Sequence, residues 1–209
     1  MLKKNKIKNK IISTTESLFK NNEYGDISIR QVASLSGISI GTFYRCINSK
    51  EELLELLNIK LNQKVYNDLL NLTKDKNSLE KIRIFFDTYI NYITEYNYKF
   101  FSLFISLALE NQNLIFSSKT LDLLKKYVKE AYENNDFNKN YSEEHILKSF
   151  SAFFLGIILN WCFSMGKSDI KNDFSPTFCI LVDRFTLWIC IIKYNNYIIR
   201  TKKGGKINC

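Results

Sequence analysis

The chain has 209 residues, 45% of them hydrophobic and 24% charged, with one Pro, seven Gly and five Cys. That length and balance suit one or two packed domains, and so few turn-forming residues exclude turn-rich β-sandwiches and barrels, collagen-like repeats and disulfide scaffolds. Thirty Lys and Arg against 21 Asp and Glu give a formal charge of +9, which makes polyanions the expected partners.

Taken in chain order, the apolar residues recur at helical spacing almost throughout. Ile7, Ile11, Leu18 and Phe19 form one stripe, predicting a first helix over about residues 5–21 with a Lys-rich outer face. Asn21 to Asp26 reads as a loop. Ser28 followed by Gln31 has capping-box spacing and starts a short helix through Leu35, stopped by Ser36-Gly37. Ser39 caps another short helix running to about Cys46. Ser49 with Glu52 is a second capping box, opening a long helix along Leu53, Leu57, Leu61, Val65 and Leu69.

Five further helices follow. Asn77-Ser78 opens one with Ile82, Phe86, Tyr89, Ile93 and Tyr96 on one side; Lys99–Leu109 is short and very apolar. Leu121, Leu124, Val128 and Tyr132 mark the next, ended by the polar run Glu133–Asn140. Ser142 caps a long helix through about Met165. Ser175-Pro176 suits a last N-terminus, with Pro at the first helical position and the helix running to about Tyr194. The expectation is an all-α chain of nine helices.

Charge is unevenly spread. Residues 1–50 hold nine basic residues against three acidic, a net of +6, whereas residues 51–209 hold 21 against 18, a net of +3. A basic head on a nearly balanced body points to nucleic acid. The five Cys show no metal-ligand spacing, and Cys162, Cys179 and Cys190 lie in apolar runs, as reduced thiols in a cytoplasmic protein would. The basic N-terminus lacks the apolar run of a signal peptide. Residues 150–165 and 178–192 read as too short or too interrupted to span a membrane, so no membrane partner is expected.

The informative stretch is residues 27–53, ISIRQVASLSGISIGTFYRCINSKEEL. Two short helices around a three-residue turn containing Gly37 have the arithmetic of a helix-turn-helix. Val32, Ala33, Ile38 and Phe43 lock the pair. Ile40, Gly41, Thr42, Tyr44 and Arg45 then face outward on the second helix, whose N-terminal turns would read a major groove. Ser28 and Ser49-Lys50 stand at helix N-termini where phosphates would sit, and Arg30 and Ser39 complete the candidate DNA-binding set.

Those residues resemble, without a gap, the DNA-binding signature of TetR-family transcriptional regulators. The signature appears as Ser28, Val32-Ala33, Ser36-Gly37-Ile38-Ser39, Gly41, Tyr44, Ile47 and Lys50-Glu51-Glu52-Leu53. Ile47 stands where the family usually has Phe, Cys46 replaces a common His or aromatic, and Ile40 occupies a site more often polar. The resemblance implies an N-terminal three-helix DNA-binding domain over residues 1–50 and an effector-binding and dimerisation domain over 51–198; residues 199–209 read by composition as a flexible basic tail. It also implies a homodimer on a double-stranded, near-palindromic operator, built through the last two long helices; Phe150, Phe153, Ile157, Phe178, Leu181, Phe185 and Trp188 are the interface candidates. A small hydrophobic or aromatic effector would sit among the middle helices, against Phe86, Tyr89, Ile93, Phe100, Phe104, Leu107, Tyr127, Phe154 and Trp161.

One His, no nucleophile elbow and no Gly-rich phosphate loop leave nothing to assemble a catalytic centre from, so neither enzymatic activity nor a cofactor or metal is expected. The remaining alternative is a DNA-binding regulator without a small-molecule effector, controlled by a protein partner or by abundance.

Overall fold

The computed structural model describes residues 2–20, 27–110 and 118–186. The fold is all-α. Among the described residues the helices are α1 (Leu2–Lys20), α2 (Ile29–Leu35), α3 (Ile40–Tyr44), α4 (Lys50–Leu72), α5 (Ser78–Thr94), α6 (Tyr98–Glu110), α7 (Ser118–Glu133), α8 (Glu143–Phe163) and α9 (Ile170–Phe185).

Local chemistry accounts for the ends. Ser28 Oγ accepts the Gln31 N–H at 3.1 Å, and Ile27 and Val32, both buried, have the spacing of a hydrophobic staple around that cap. The stop after α2 is a Schellman motif. Ile38 N–H donates to the Ala33 carbonyl at 3.0 Å and Gly37 N–H to Ser34 at 2.9 Å, with Gly37 at φ +64° where a side chain would be strained. Asn135 (φ +58°) and Met165 (φ +55°) hold the equivalent left-handed positions after α7 and α8.

The last helix differs from its sequence expectation. α9 starts at Ile170 rather than at Ser175-Pro176, and Pro176 lies inside it. The Asp169 carboxylate supplies the cap, accepting the N–H groups of Lys171 and Asn172 at 3.1 and 3.2 Å. An interior Pro costs about 3 kcal/mol. The added N-terminal turns bury Ile170 and Phe174 to 2% and 1% exposure, each worth roughly 1.5–3 kcal/mol, which offsets that cost. Its expected extension to Tyr194, and the tail beyond, lie outside the described residues. α3 is also shorter than expected: the Cys46 N–H donates to the Phe43 carbonyl, three residues back, at 2.8 Å, and that tighter turn closes the helix.

The chain forms two compact units, one of Met1–Lys64 with Tyr92–Ser117, the other of Val65–Asn91 with Ser118–Cys209. In the first, Ile11, Phe19, Val32, Phe43, Ile47, Leu57 and Phe100 are buried, and Phe19 meets Phe100 edge-on at 5.0 Å. A polar knot ties α1, α4 and the α5–α6 elbow together within this unit. Glu16 accepts from Lys60 Nζ at 2.6 Å and from the Tyr96 hydroxyl at 3.0 Å, while Lys20 lies 3.5 Å from Glu16 and 2.5 Å from Glu95. The second unit is built on aromatic rings: Phe86 has Phe150, Phe154, Phe174 and Phe178 around it at 5.1–6.2 Å. Arg83 lies over Phe174 and Phe178, donating to Asp87 at 2.8 Å and to Ser175 at 3.0 Å. Burial pushes the Asp87 carboxyl up, although Arg83 pulls it the other way.

Candidate nucleic-acid interface

The helix-turn-helix is assembled from a buried side and a bare side. Val32, Ala33 and Phe43 are 0–1% exposed and hold α2 against α3, leaving the other face of α3 open. Ile40 is 40% and Tyr44 49% exposed, although the fold gains nothing from leaving them in water. Ser28, Arg30, Ser39, Gly41 and Arg45 are exposed as well, with Thr42 and Lys50 half-buried. A Cβ at Gly41 would approach no neighbour closer than 4.0 Å, so the fold itself does not require glycine there; its bareness keeps the helix surface low where a groove wall would approach.

Thr42 of α3 and the two residues that cap it, Ser39 and Arg45, form a polar chain of their own. Ser39 Oγ accepts the Thr42 N–H at 3.1 Å, Ser39 and Thr42 hydroxyls lie 2.9 Å apart, and Arg45 donates to Thr42 Oγ1 at 2.9 Å. The guanidinium is thereby aimed along the exposed face before any ligand arrives. The three-residue spacing of these positions is legible in the sequence; the direction Arg45 takes is not, because an exposed Arg has many rotamers of similar energy.

At the N-terminus of α4 the expected phosphate site is altered. Ser49 Oγ accepts the Glu52 N–H at 3.1 Å as its spacing predicts, but the Glu52 carboxylate reaches one residue further back, to Asn48 N–H and Asn48 Nδ2, both at 2.7 Å. Lys8 of α1 also donates to Glu52 at 3.2 Å. Those bonds, the Asn48 N–H foremost, hold the Glu52 carboxyl below its ordinary range. With Glu51 and Glu52 both in its first turn, α4 already has its positive end neutralised, which leaves Lys50 as the cation there. Cys46 is buried, so its side chain belongs to the packing rather than to the exposed face.

The other candidate residues separate by unit. Phe86, Tyr89 and Phe154 come together in the second, with Phe154 5.1 Å from Phe86 and 5.8 Å from Tyr89, and Trp161 is buried there as well. Both phenols of this group are engaged: Tyr89 hydrogen-bonds Thr120, and Tyr127 lies 2.7 Å from Thr73. Thr73 spends its single hydroxyl hydrogen on the Leu69 carbonyl, so Tyr127 is the donor in that pair. Burial pushes both phenols up, keeping them neutral. Ile93, Phe100 and Phe104 are buried in the first unit; Leu107 lies in α6 with its side chain outside the described residues.

Of the interface candidates, Phe150, Phe178 and Phe185 are covered by the chain itself, at 0%, 0% and 6% exposure. Phe153, Ile157 and Leu181 are half-buried, and Trp188 lies outside the described residues. Phe163 and Ile180 are 80% and 69% exposed. α8 has the length and apolar composition to cross a membrane, longer than its apolar run alone suggests, yet Ile146, Phe150, Phe154, Ile158 and Trp161 put one side of it in the core.

A helix-turn-helix with a bare second helix, on an all-α chain, has the form of a DNA-binding regulator of transcription. Residues 11–57 match the family model for bacterial regulatory proteins of the tetR family. Over that stretch, less than a quarter of its length, the chain is similar to the tetR family of bacterial regulatory proteins. Among solved structures, the fatty acid degradation regulator FadR from Bacillus halodurans shares the fold with a TM-score of 0.67 at 19% identity, over 84% of this chain and 94% of that one. FadR of Thermus thermophilus, a TetR-family repressor in complex with lauroyl-CoA, shares it with a TM-score of 0.61 at 16% identity, over 84% and 93%. A putative fatty acid metabolism regulator from Clostridium perfringens gives 0.60 at 16%, over 85% and 99%. No curated protein matches by sequence.

Proposed function

We propose that the chain is a cytoplasmic, homodimeric repressor, released from a near-palindromic operator by a small apolar effector. The observation that carries the reading is the open face of α3, where Ile40, Tyr44 and Arg45 are exposed, Thr42 is half-buried, and Thr42 already holds the Arg45 guanidinium. Thr42 and Ile40 would meet thymine methyls, Arg45 a base edge or phosphate, and Ser28, Arg30, Tyr44 and Lys50 the backbone. Dimerisation would use the outward sides of α8 and α9, through Phe153, Ile157, Leu181, Phe163 and Ile180 rather than the core residues Phe150, Phe178 and Phe185.

An acyl chain is the first effector to try, because the Thermus thermophilus structure holds lauroyl-CoA and the two candidate phenols of the second unit, Tyr89 and Tyr127, are already hydrogen-bonded. An effector would shift α4, which carries residues of both units, and so alter the spacing of two reading heads held to a fixed half-site separation. The same engaged hydroxyls and close rings also favour the second reading, a regulator whose body binds no small molecule.

Selection of sites from a random duplex pool at near-physiological salt tests the proposal. Enrichment of one inverted repeat is expected, and acyl-CoA should then release the purified chain from that repeat. Recovery of unrelated sequences would refute the sequence-reading role; an inverted repeat that no acyl-CoA releases would leave the second reading in place.

A further inference from the structure

α1 carries its cations in the wrong places for its own stability. A helix N-terminus is the positive end of the dipole and favours acids, yet α1 has no acidic residue in its first turn and carries Lys3, Lys4 and Lys6 near that end. Lys6 and Lys10 are four residues apart, on one face, where like charges repel. The lysines of α1 also divide into two groups. Lys8 is held by Glu52, and Lys20 by Glu16 and Glu95. Lys6 and Lys10 are exposed and have no acidic partner among the described residues. A solvated surface helix would relieve such charges with an acid one turn away, and α1 does so only for Lys20, with Glu16.

Position supplies the second argument. Lys10 Nζ lies 3.6 Å from the point a Cβ on Gly37 would occupy, so its ammonium stands over the turn between α2 and α3. That turn leads within two residues to Ser39, the cap of the reading helix. When the first turn of α3 enters a major groove about 12 Å wide, whatever stands beside its cap is at the groove rim, where a phosphate strand passes.

We propose that the Lys6–Lys10 face of α1 is a phosphate-binding surface separate from the contacts of α3 and α4, gripping one DNA strand beside the reading helix. The assignment rests on the DNA-binding reading above. The alternative role for Lys10 is structural, an ammonium at the negative C-terminal end of α2.

The test measures affinity of the full chain for a random-sequence 30-base-pair duplex (a probe length chosen for the assay, about three helical turns) across a salt series. Lys10→Gln should flatten the slope of log affinity against log salt by about 0.9 per subunit and weaken binding roughly three- to tenfold near 0.1 M salt, with Lys6→Gln in the same direction. Lys129→Gln, which removes an equal charge from the Lys129–Glu133 pair of α7, is expected to leave the slope unchanged. An unaltered slope in Lys10→Gln with a lowered melting temperature would assign Lys10 to the α2 terminus and overturn the proposal while leaving DNA binding intact. Equal flattening by Lys129→Gln would overturn it in favour of net charge alone. A wild-type chain that fails to bind duplex at any salt would overturn the regulator reading together with this one.

Discussion

Glu16 gives the sharpest test of how the first unit is held together. Its carboxylate has side-chain exposure of 19%, takes a hydrogen bond from Tyr96 at 3.0 Å and lies 2.6 Å from Lys60 and 3.5 Å from Lys20. Glu16→Ala leaves the buried Tyr96 hydroxyl without that acceptor, at about 1–3 kcal/mol, and strips two ammonium groups of a partner. The cation pairs are partly exposed and add about 1 kcal/mol at most. The expected loss is therefore about 2–3 kcal/mol, a fall of roughly 4–12 °C in melting temperature for a chain of this size. Glu16→Gln keeps an acceptor for Tyr96 and should cost about 1 kcal/mol.

The pH dependence separates charge from packing. Burial pushes the Glu16 carboxyl up, but hydrogen bonds from Lys60 and Tyr96 and the nearby ammonium groups outweigh it, and the net direction is down from 4.5. A depressed carboxyl contributes stability above its unfolded value and loses it as pH falls through the folded value. Urea unfolding of wild type and Glu16→Gln should accordingly differ at pH 7 and converge at pH values well below 4.5. A Glu16→Ala variant within about 0.5 kcal/mol of wild type at pH 7, or a Glu16→Gln difference that persists undiminished in acid, would refute the account.

Further outcomes follow from particular residues. Met165→Gly should raise stability by about 1 kcal/mol in thermal melts, because a non-glycine at φ +55° is strained and its side chain is exposed. Gly156→Ala should stabilise the folded chain by about 0.5–1 kcal/mol, since a Cβ there meets nothing within 4 Å. If α8 also packs against a second copy at that point, the same change should weaken dimerisation in sedimentation, moving the two readouts in opposite directions. Thr42→Val should change the selected operator sequence while leaving binding to random duplex nearly intact; an unchanged preference would remove Thr42 from the reading set.

Much of this architecture was legible because helix ends are decided by neighbours in sequence. Ser28, Ser39, Ser49 and Ser142 all accept the amide three residues on, as their spacing predicts. Gly37 likewise adopts the left-handed stop its position demands. Pro176 misled because the rule placing Pro at the first helical position is local, whereas the gain from burying Ile170 and Phe174 comes from across the second unit. Phe150 and Phe178 show a related limit. Periodicity marks α8 and α9 as apolar on several sides, but it does not say which side the chain itself covers, and these two rings turn inward to Phe86. The exposed set on α3 was readable from the helix-turn-helix alone; the Arg45–Thr42 bond and the backward reach of Glu52 depend on rotamers that sequence leaves open.

The bond between Arg45 and Thr42 has an evolutionary side. A regulator acquires a new operator by changing the residues on its reading helix, and the simplest route changes them singly. Here one residue holds the other at 2.9 Å, so a substitution at Thr42 also releases Arg45, and under the proposed reading role its effect on base preference would depend on what stands at position 45. Drift in operator sequence should therefore be matched by paired replacements at these two positions. Variants that explore them one at a time would cross a valley of weakened binding before reaching a new specificity.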